Sequence, residues 1–206
     1  MKIQLAIDRV SVEEALTILA EVQEFVDIIE VGTSLIKDFG LESVRRIKSE
    51  YPDKKILADM KVIDEVEYEF RAAYDAGADI VTIMGAAAPI SIAIGQEVAR
   101  EYNKEYMIDL LEVEQDKLQK LLIYEDAIFA IHLPADKKGE GLSTLLEESL
   151  SYLGDGKRIA TAGGVTLEEL PLLRVGQVEI AIVGGAITKS EDRRNAAMQM
   201  KEMAIS

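Results

Sequence analysis

The feature that most restricts how this chain can fold is an alternation repeated eight times, a short apolar run of β type followed by an amphipathic segment of helical period. The apolar runs lie at 3–8, 26–31, 55–61, 80–84, 105–110, 127–132, 157–161 and 179–183. The helical patterns between and after them lie at 12–22, 41–51, 65–76, 90–102, 114–124, 141–153, 167–173 and 190–204. Strict alternation implies parallel strands joined by crossover helices. Eight such units predict an α/β fold of the closed (β/α)8 TIM-barrel type, since the alternative, an open doubly wound sheet, usually has fewer. Ser11 suits an N-cap, Gly77 a C-cap, and Pro52 stands just past a helix where a stop signal belongs. No Pro/Ser-rich linker or low-complexity stretch divides the sequence, so residues 1–206 read as one barrel domain with tight loops.

Charge and composition narrow the function. The formal net charge of −15, from 23 basic and 38 acidic residues, argues against a nucleic-acid or anionic-membrane surface. A small phosphorylated ligand stays open, because backbone N–H groups can supply local positive potential. There is no cysteine, hence no disulfide framework and no thiolate chemistry. The apolar stretch at the N-terminus is too short for a signal peptide, and no run approaches the ~20 apolar residues that span a bilayer. A cytoplasmic location is expected.

In such a barrel the active site lies at the C-terminal ends of the strands. Those positions carry Asp8, Glu30, Asp59 with Lys61 and Asp64, Gly85, Asp109, His132, Gly163-Gly164 and Gly184-Gly185. Strand alternation puts Asp59 and Lys61 on one face and Ala58 and Met60 on the other. Charges crowded at a strand end must be paired, solvated or bound to an ion. Five strands thus deliver carboxylates, a lysine or the only histidine to one rim, where structural charges placed independently would scatter over both. Glu30 and Asp59, on neighbouring strands, form a pair of hard-oxygen donors suited to Mg2+. His132 can act as general acid or base near neutral pH. A lone Gly-Gly is ordinarily a turn. Two such pairs after strands 7 and 8 fit a phosphate site, where glycine permits close backbone approach.

Several segments together resemble a known family. They are Ile-Ile-Glu-Val-Gly-Thr at 28–33, Leu-Ala-Asp-Met-Lys-Val-Ile-Asp at 57–64, Asp-Ile-Val-Thr at 79–82, Ala-Gly-Gly-Val at 162–165 and Ile-Val-Gly-Gly-Ala-Ile-Thr at 182–188. The chain is similar to the 3-hexulose-6-phosphate synthase and 3-keto-L-gulonate-6-phosphate decarboxylase branch of the orotidine monophosphate decarboxylase superfamily. The resemblance implies Mg2+-dependent homodimeric barrels acting on small phosphorylated sugars. It assigns Glu30 and Asp59 to the metal, Asp8 and Lys61 to the flanks of the substrate, and Asp64 to the neighbouring subunit's site. It further assigns His132 to proton transfer, Thr33 and Asp109 to substrate contact, and Gly163, Gly164, Gly184 and Gly185 to the phosphate. The shared chemistry is an enediolate of a pentulose phosphate, made either by deprotonating ribulose 5-phosphate before formaldehyde is added, or by loss of CO2.

Asp64-Glu65-Val66-Glu67-Tyr68-Glu69 and Asp109-Leu110-Leu111-Glu112-Val113 look more like the synthase, and no arginine follows His132 as it does in the decarboxylase. The chain departs from the branch at Glu65-Val66, usually Ala-Gly, and at Leu133-Pro134-Ala135-Asp136, where the synthase has Thr-Gly-Tyr. These departures keep a phosphate-binding barrel without catalysis as an alternative to the lyase. An epimerase or isomerase fits less well, because one histidine is too few for its usual metal or two-base site.

Overall fold

All eight strands form, and each pairs in parallel with its sequence neighbours. The computed structural model describes residues 1–134 and 141–205. The strands are β1 (Lys2–Ile7), β2 (Ile28–Val31), β3 (Lys55–Val62), β4 (Ile80–Met84), β5 (Glu105–Asp109), β6 (Ile128–His132), β7 (Arg158–Ala162) and β8 (Ile180–Val183). Closure comes from β1 pairing with both β2 and β8, with Gln4 opposite Ile28 on one side and Ile182 on the other. The helices are α1 (Val12–Val22), α2 (Thr33–Phe39), α3 (Glu42–Glu50), α4 (Val66–Asp75) and α5 (Pro89–Glu101). They continue with α6 (Gln115–Leu121), α7 (Leu142–Leu153), α8 (Leu170–Val175), α9 (Gly185–Thr188) and α10 (Arg193–Ile205).

Alternation along the strands splits the core in two. Outward side chains such as Ile3, Leu5, Ile29, Val81 and Phe129 pack under the helices. Inward ones, among them Ile28, Leu57, Ile80, Met107, Ile128 and Ile180, fill the barrel. Nearer the C-terminal end the inward residues shrink to Ala6, Ala130 and Ala162, which leaves room for a cavity. At the other end a lattice of charges closes the barrel. Arg158 bonds Glu179 at 2.9 Å and Glu105 at 2.7 Å, Lys2 reaches Glu179 at 2.9 Å, and Lys55 pairs with Glu105. One end of the barrel is therefore stapled and the other is left open for chemistry.

Local signals act as their chemistry suggests. Ser11 Oγ accepts from Glu14 N at 3.1 Å to cap α1. Gly77, at φ +102, ends α4 while Ala78 N bonds back to Ala73 O at 3.1 Å. Two differences from the sequence reading have clear causes. A further helix, α2, follows β2 at once, because Gly32 and Thr33 turn the chain directly into it. The helix expected at 167–173 begins instead at Leu170, because Glu169 turns back to cap Thr166 N at 2.8 Å. Among the described residues no helix is long and apolar enough to cross a membrane.

Candidate active site

A cavity of about 920 Å³ opens at the C-terminal end of the barrel. It gathers Asp8, Glu30, Thr33, Asp59, Lys61 and Asp109 around its floor and wall. His132 and the pairs Gly163-Gly164 and Gly184-Gly185 complete it. Asp64 does not line it. That residue lies on an exposed stretch after β3, beside Ile63 at 56% exposure. Of the loop after His132, Leu133 and Pro134 are described, while Ala135 and Asp136 lie outside the described residues.

The charged groups form one chain across the barrel. Lys61 Nζ lies 2.6 Å from Asp59 Oδ2 and 3.5 Å from Asp109 Oδ2. Asp109 Oδ2 in turn meets His132 Nδ1 at 2.9 Å. A carboxylate can only accept here, so Nδ1 carries the hydrogen and Nε2 is left to give or take a proton. Asp59 is held on every side: Thr82 Oγ1 donates to its Oδ1 at 2.9 Å, and Thr33 Oγ1 lies 2.6 Å from its Oδ2. Asp109 Oδ1 accepts from Leu111 N at 2.9 Å, fixing the other end.

Burial makes these charges matter. Glu30, Asp59 and Asp109 are 7%, 6% and 3% exposed, three carboxylates against the single ammonium of Lys61. Desolvation and then the nearby Asp59 push the Glu30 carboxyl up to about 8, against the partial relief of a 2.6 Å bond from Gln4 Nε2. Burial alone would lower the Lys61 pKa, but Asp59 and Asp109 outweigh it and hold the ammonium above its usual value. Burial would likewise raise Asp109, yet His132 and Lys61 hold it below the usual carboxylate range. The site is thus short of positive charge at Glu30 and Asp59. Their hard oxygen donors suit a divalent cation such as Mg2+, although among the described residues no three acidic, histidine or cysteine side chains cluster as a metal site.

The opposite wall is built of backbone. Gly163 is at φ +94, and a Cβ there would come within 2.2 Å of Leu133 O, so no other residue fits without backbone movement. Gly164 follows at φ +78. Gly184 and Gly185 have no atom within 3.5 Å of where a Cβ would stand, so their backbone is open to a ligand. The stem of Lys189 lies over Gly185, with Cδ 3.6 Å from that position. Lys189 lines the cavity, and among the described residues its ammonium has no ion-pair partner. Between the two walls Asp8 Oδ1 accepts from Ser34 N at 3.0 Å and from Ser34 Oγ at 2.8 Å. A Cβ on Gly32 would lie 2.3 Å from Asp8 Cγ, which explains a glycine before Thr33.

Gln4, Thr82 and Lys189 were not singled out from the sequence. Gln4 and Thr82 are uncharged and sit inside apolar strands, so only the inward alternation of β1 and β4 could have marked them. Glu65 and Val66, the departures noted above, do not line the cavity. Glu65 is exposed at φ +51, and Val66 is buried in the helix layer.

Known proteins share both this fold and its sequence. The model of the Orotidine 5'-phosphate decarboxylase / HUMPS family matches residues 1–200. The 3-hexulose-6-phosphate synthase of Mycobacterium gastri is 36% identical over 208 residues, 98% of each chain. A crystal structure of 3-hexulose-6-phosphate synthase from Salmonella typhimurium superposes with a TM-score of 0.95 at 31% identity, covering 100% of this chain and 99% of that one. KGPDC from Streptococcus mutans, in complex with ribose 5-phosphate, superposes with a TM-score of 0.89 at 26% identity, covering 99% and 97%.

Proposed function

The chain belongs to the orotidine 5'-phosphate decarboxylase / HUMPS family, and on that premise we propose that it is a carbon–carbon lyase of the 3-hexulose-6-phosphate synthase type. It condenses formaldehyde with ribulose 5-phosphate, reversibly, with Mg2+ as cofactor. The observation that carries this reading is the unbroken run Asp59–Lys61–Asp109–His132 facing two glycine pairs in one cavity. The sugar phosphate held by the KGPDC neighbour supports a small phosphorylated sugar as the ligand.

The chemistry follows from the residues. Gly163, Gly164, Gly184 and Gly185 hold the phosphate by close backbone approach, with Asp8, Thr33 and Asp109 bounding the sugar. His132 Nε2 removes a proton from C1 of the ketose while Asp109 keeps the ring in one tautomer and orientation. The electron pair left on C1 delocalises into an enediolate whose negative oxygen faces the Lys61 ammonium. That preorganised charge is the main catalytic contribution, of order 10²–10³ in rate for such a donor. C1 then bonds to the formaldehyde carbon, and the new alkoxide takes back the proton from His132. Glu30 and Asp59 would hold Mg2+, which when bound withdraws electron density from the substrate oxygens.

A homodimer belongs to the same reading. Ile63 and Tyr68, 56% and 74% exposed, flank Asp64, and a second copy would cover them while receiving that carboxylate. Sedimentation should report a dimer that I63D weakens. The function itself is tested in a sealed vessel: formaldehyde and ribulose 5-phosphate should disappear together only with Mg2+ present. No consumption refutes the synthase reading, and CO2 release from 3-keto-L-gulonate 6-phosphate supports the decarboxylase in its place.

A further inference from the structure

We infer that Thr82 is a positioning residue of this site, one hydroxyl that holds both Lys61 and Asp59 in their working geometry. The inference rests on the lyase reading for its kinetic test, and on the structure alone for its physical basis. Pairing between β3 and β4 joins Ala58 to Val81 and then Val62 to Ile83, so four residues of β3 run against two of β4. The surplus is a bulge centred on Asp59, Met60 and Lys61, and such irregularities re-aim side chains near active sites. Lys61 lies at φ +48, a left-handed conformation that side chains other than glycine rarely adopt.

A residue in that conformation persists only when its surroundings over-determine it. The bulge removes the Lys61 amide from the strand ladder, and its N–H donates instead to Thr82 Oγ1 at 2.8 Å. The same hydroxyl donates to Asp59 Oδ1 at 2.9 Å. Its one hydrogen is thereby committed to Asp59 while a lone pair serves Lys61. Thr82 is buried on the strand facing the bulge. Gln4 reaches Glu30 and Thr33 reaches the other oxygen of Asp59, but neither contacts the Lys61 backbone. Valine would keep the shape and leave the Lys61 amide without its acceptor, whereas serine would keep both bonds.

The test compares T82V, T82S and T82A with wild type at matched fold content, checked by thermal midpoint. T82V and T82A should lower kcat by about 10- to 100-fold, as misplacement of a catalytic group does, with KM within about twofold. T82S should restore kcat to within about threefold of wild type. Retention of kcat in T82V, or a T82S as impaired as T82V, overturns the inference. If T82V fails to fold, T82A read against T82S decides the matter. If wild type shows no turnover, the lyase reading falls but this one does not, because crystals of T82A still report on it. Lys61 leaving the left-handed region, with Asp59 rotated, upholds it, and an unchanged bulge overturns it.

Discussion

Replacing Glu30 with glutamine should flatten the pH dependence of stability between pH 5.5 and 8. In the folded state burial and Asp59 raise the Glu30 carboxyl from 4.5 to about 8. The folded protein therefore binds more protons than the unfolded chain between these two values, so stability is greatest near the lower end and falls as pH rises. At 1.36 kcal/mol per pH unit the loss from pH 5.5 to 8 is at most about 3 kcal/mol, and the near-complete burial of Glu30 leaves little solvent screening to reduce it. Urea unfolding in EDTA at pH 5.5, 7 and 8 measures this slope directly. Glu69 is also pushed up, by burial and then by Asp64 and Glu65, but it sits at the start of α4 and is common to both proteins. Mg2+ at millimolar concentration should restore wild-type stability most at pH 8, where protons no longer compete for the site, and should do little for E30Q. Equal slopes in E30Q and wild type would refute the reasoning.

Three further outcomes are expected. G163A should destabilise by about 2 kcal/mol or more, since φ +94 and the Leu133 carbonyl both oppose a methyl group, and thermal unfolding reads it. K189Q should raise KM for the phosphorylated substrate by about 5- to 10-fold with kcat unchanged, the loss of one charged contact to the phosphate, read by steady-state kinetics. Glu179 is held down to about 2 by Arg158 despite burial, and Glu105 is also lowered, by Lys55 and Arg158 against burial. Both contribute stability present above pH 4.5 and lost as the pH falls toward 2, so R158Q should unfold at higher pH on acid titration followed by circular dichroism.

The barrel was readable because burial on both sides makes each parallel strand an apolar run, and the eight runs alternate with helical periods. The charged half of the cavity was readable for a related reason. Asp59, Lys61 and His132 interrupt apolar strands at positions where packing gives no cause for charge. What escaped was uncharged or three-dimensional. Thr82 reads as an ordinary β-branched strand residue, and nothing in Ala-Asp-Met-Lys-Val announces that β3 bulges there. The short α2 escaped because Gly32-Thr33 looks like a turn until Asp8 is seen packed against it. The charge lattice of Lys2, Lys55, Glu105, Arg158 and Glu179 was passed over because attention fell on the other ends of the strands. Asp64 belongs to a contact that one chain does not contain.

The most direct test is isotope exchange. Ribulose 5-phosphate incubated in D2O with the Mg2+-loaded protein, without formaldehyde, should take up one deuteron at C1, visible by proton NMR. The exchange should vanish in H132Q and fall by about 10²–10³-fold in K61A. A wild-type protein that binds the sugar phosphate yet leaves C1 fully protonated would contradict proton removal by His132 and charge stabilisation by Lys61.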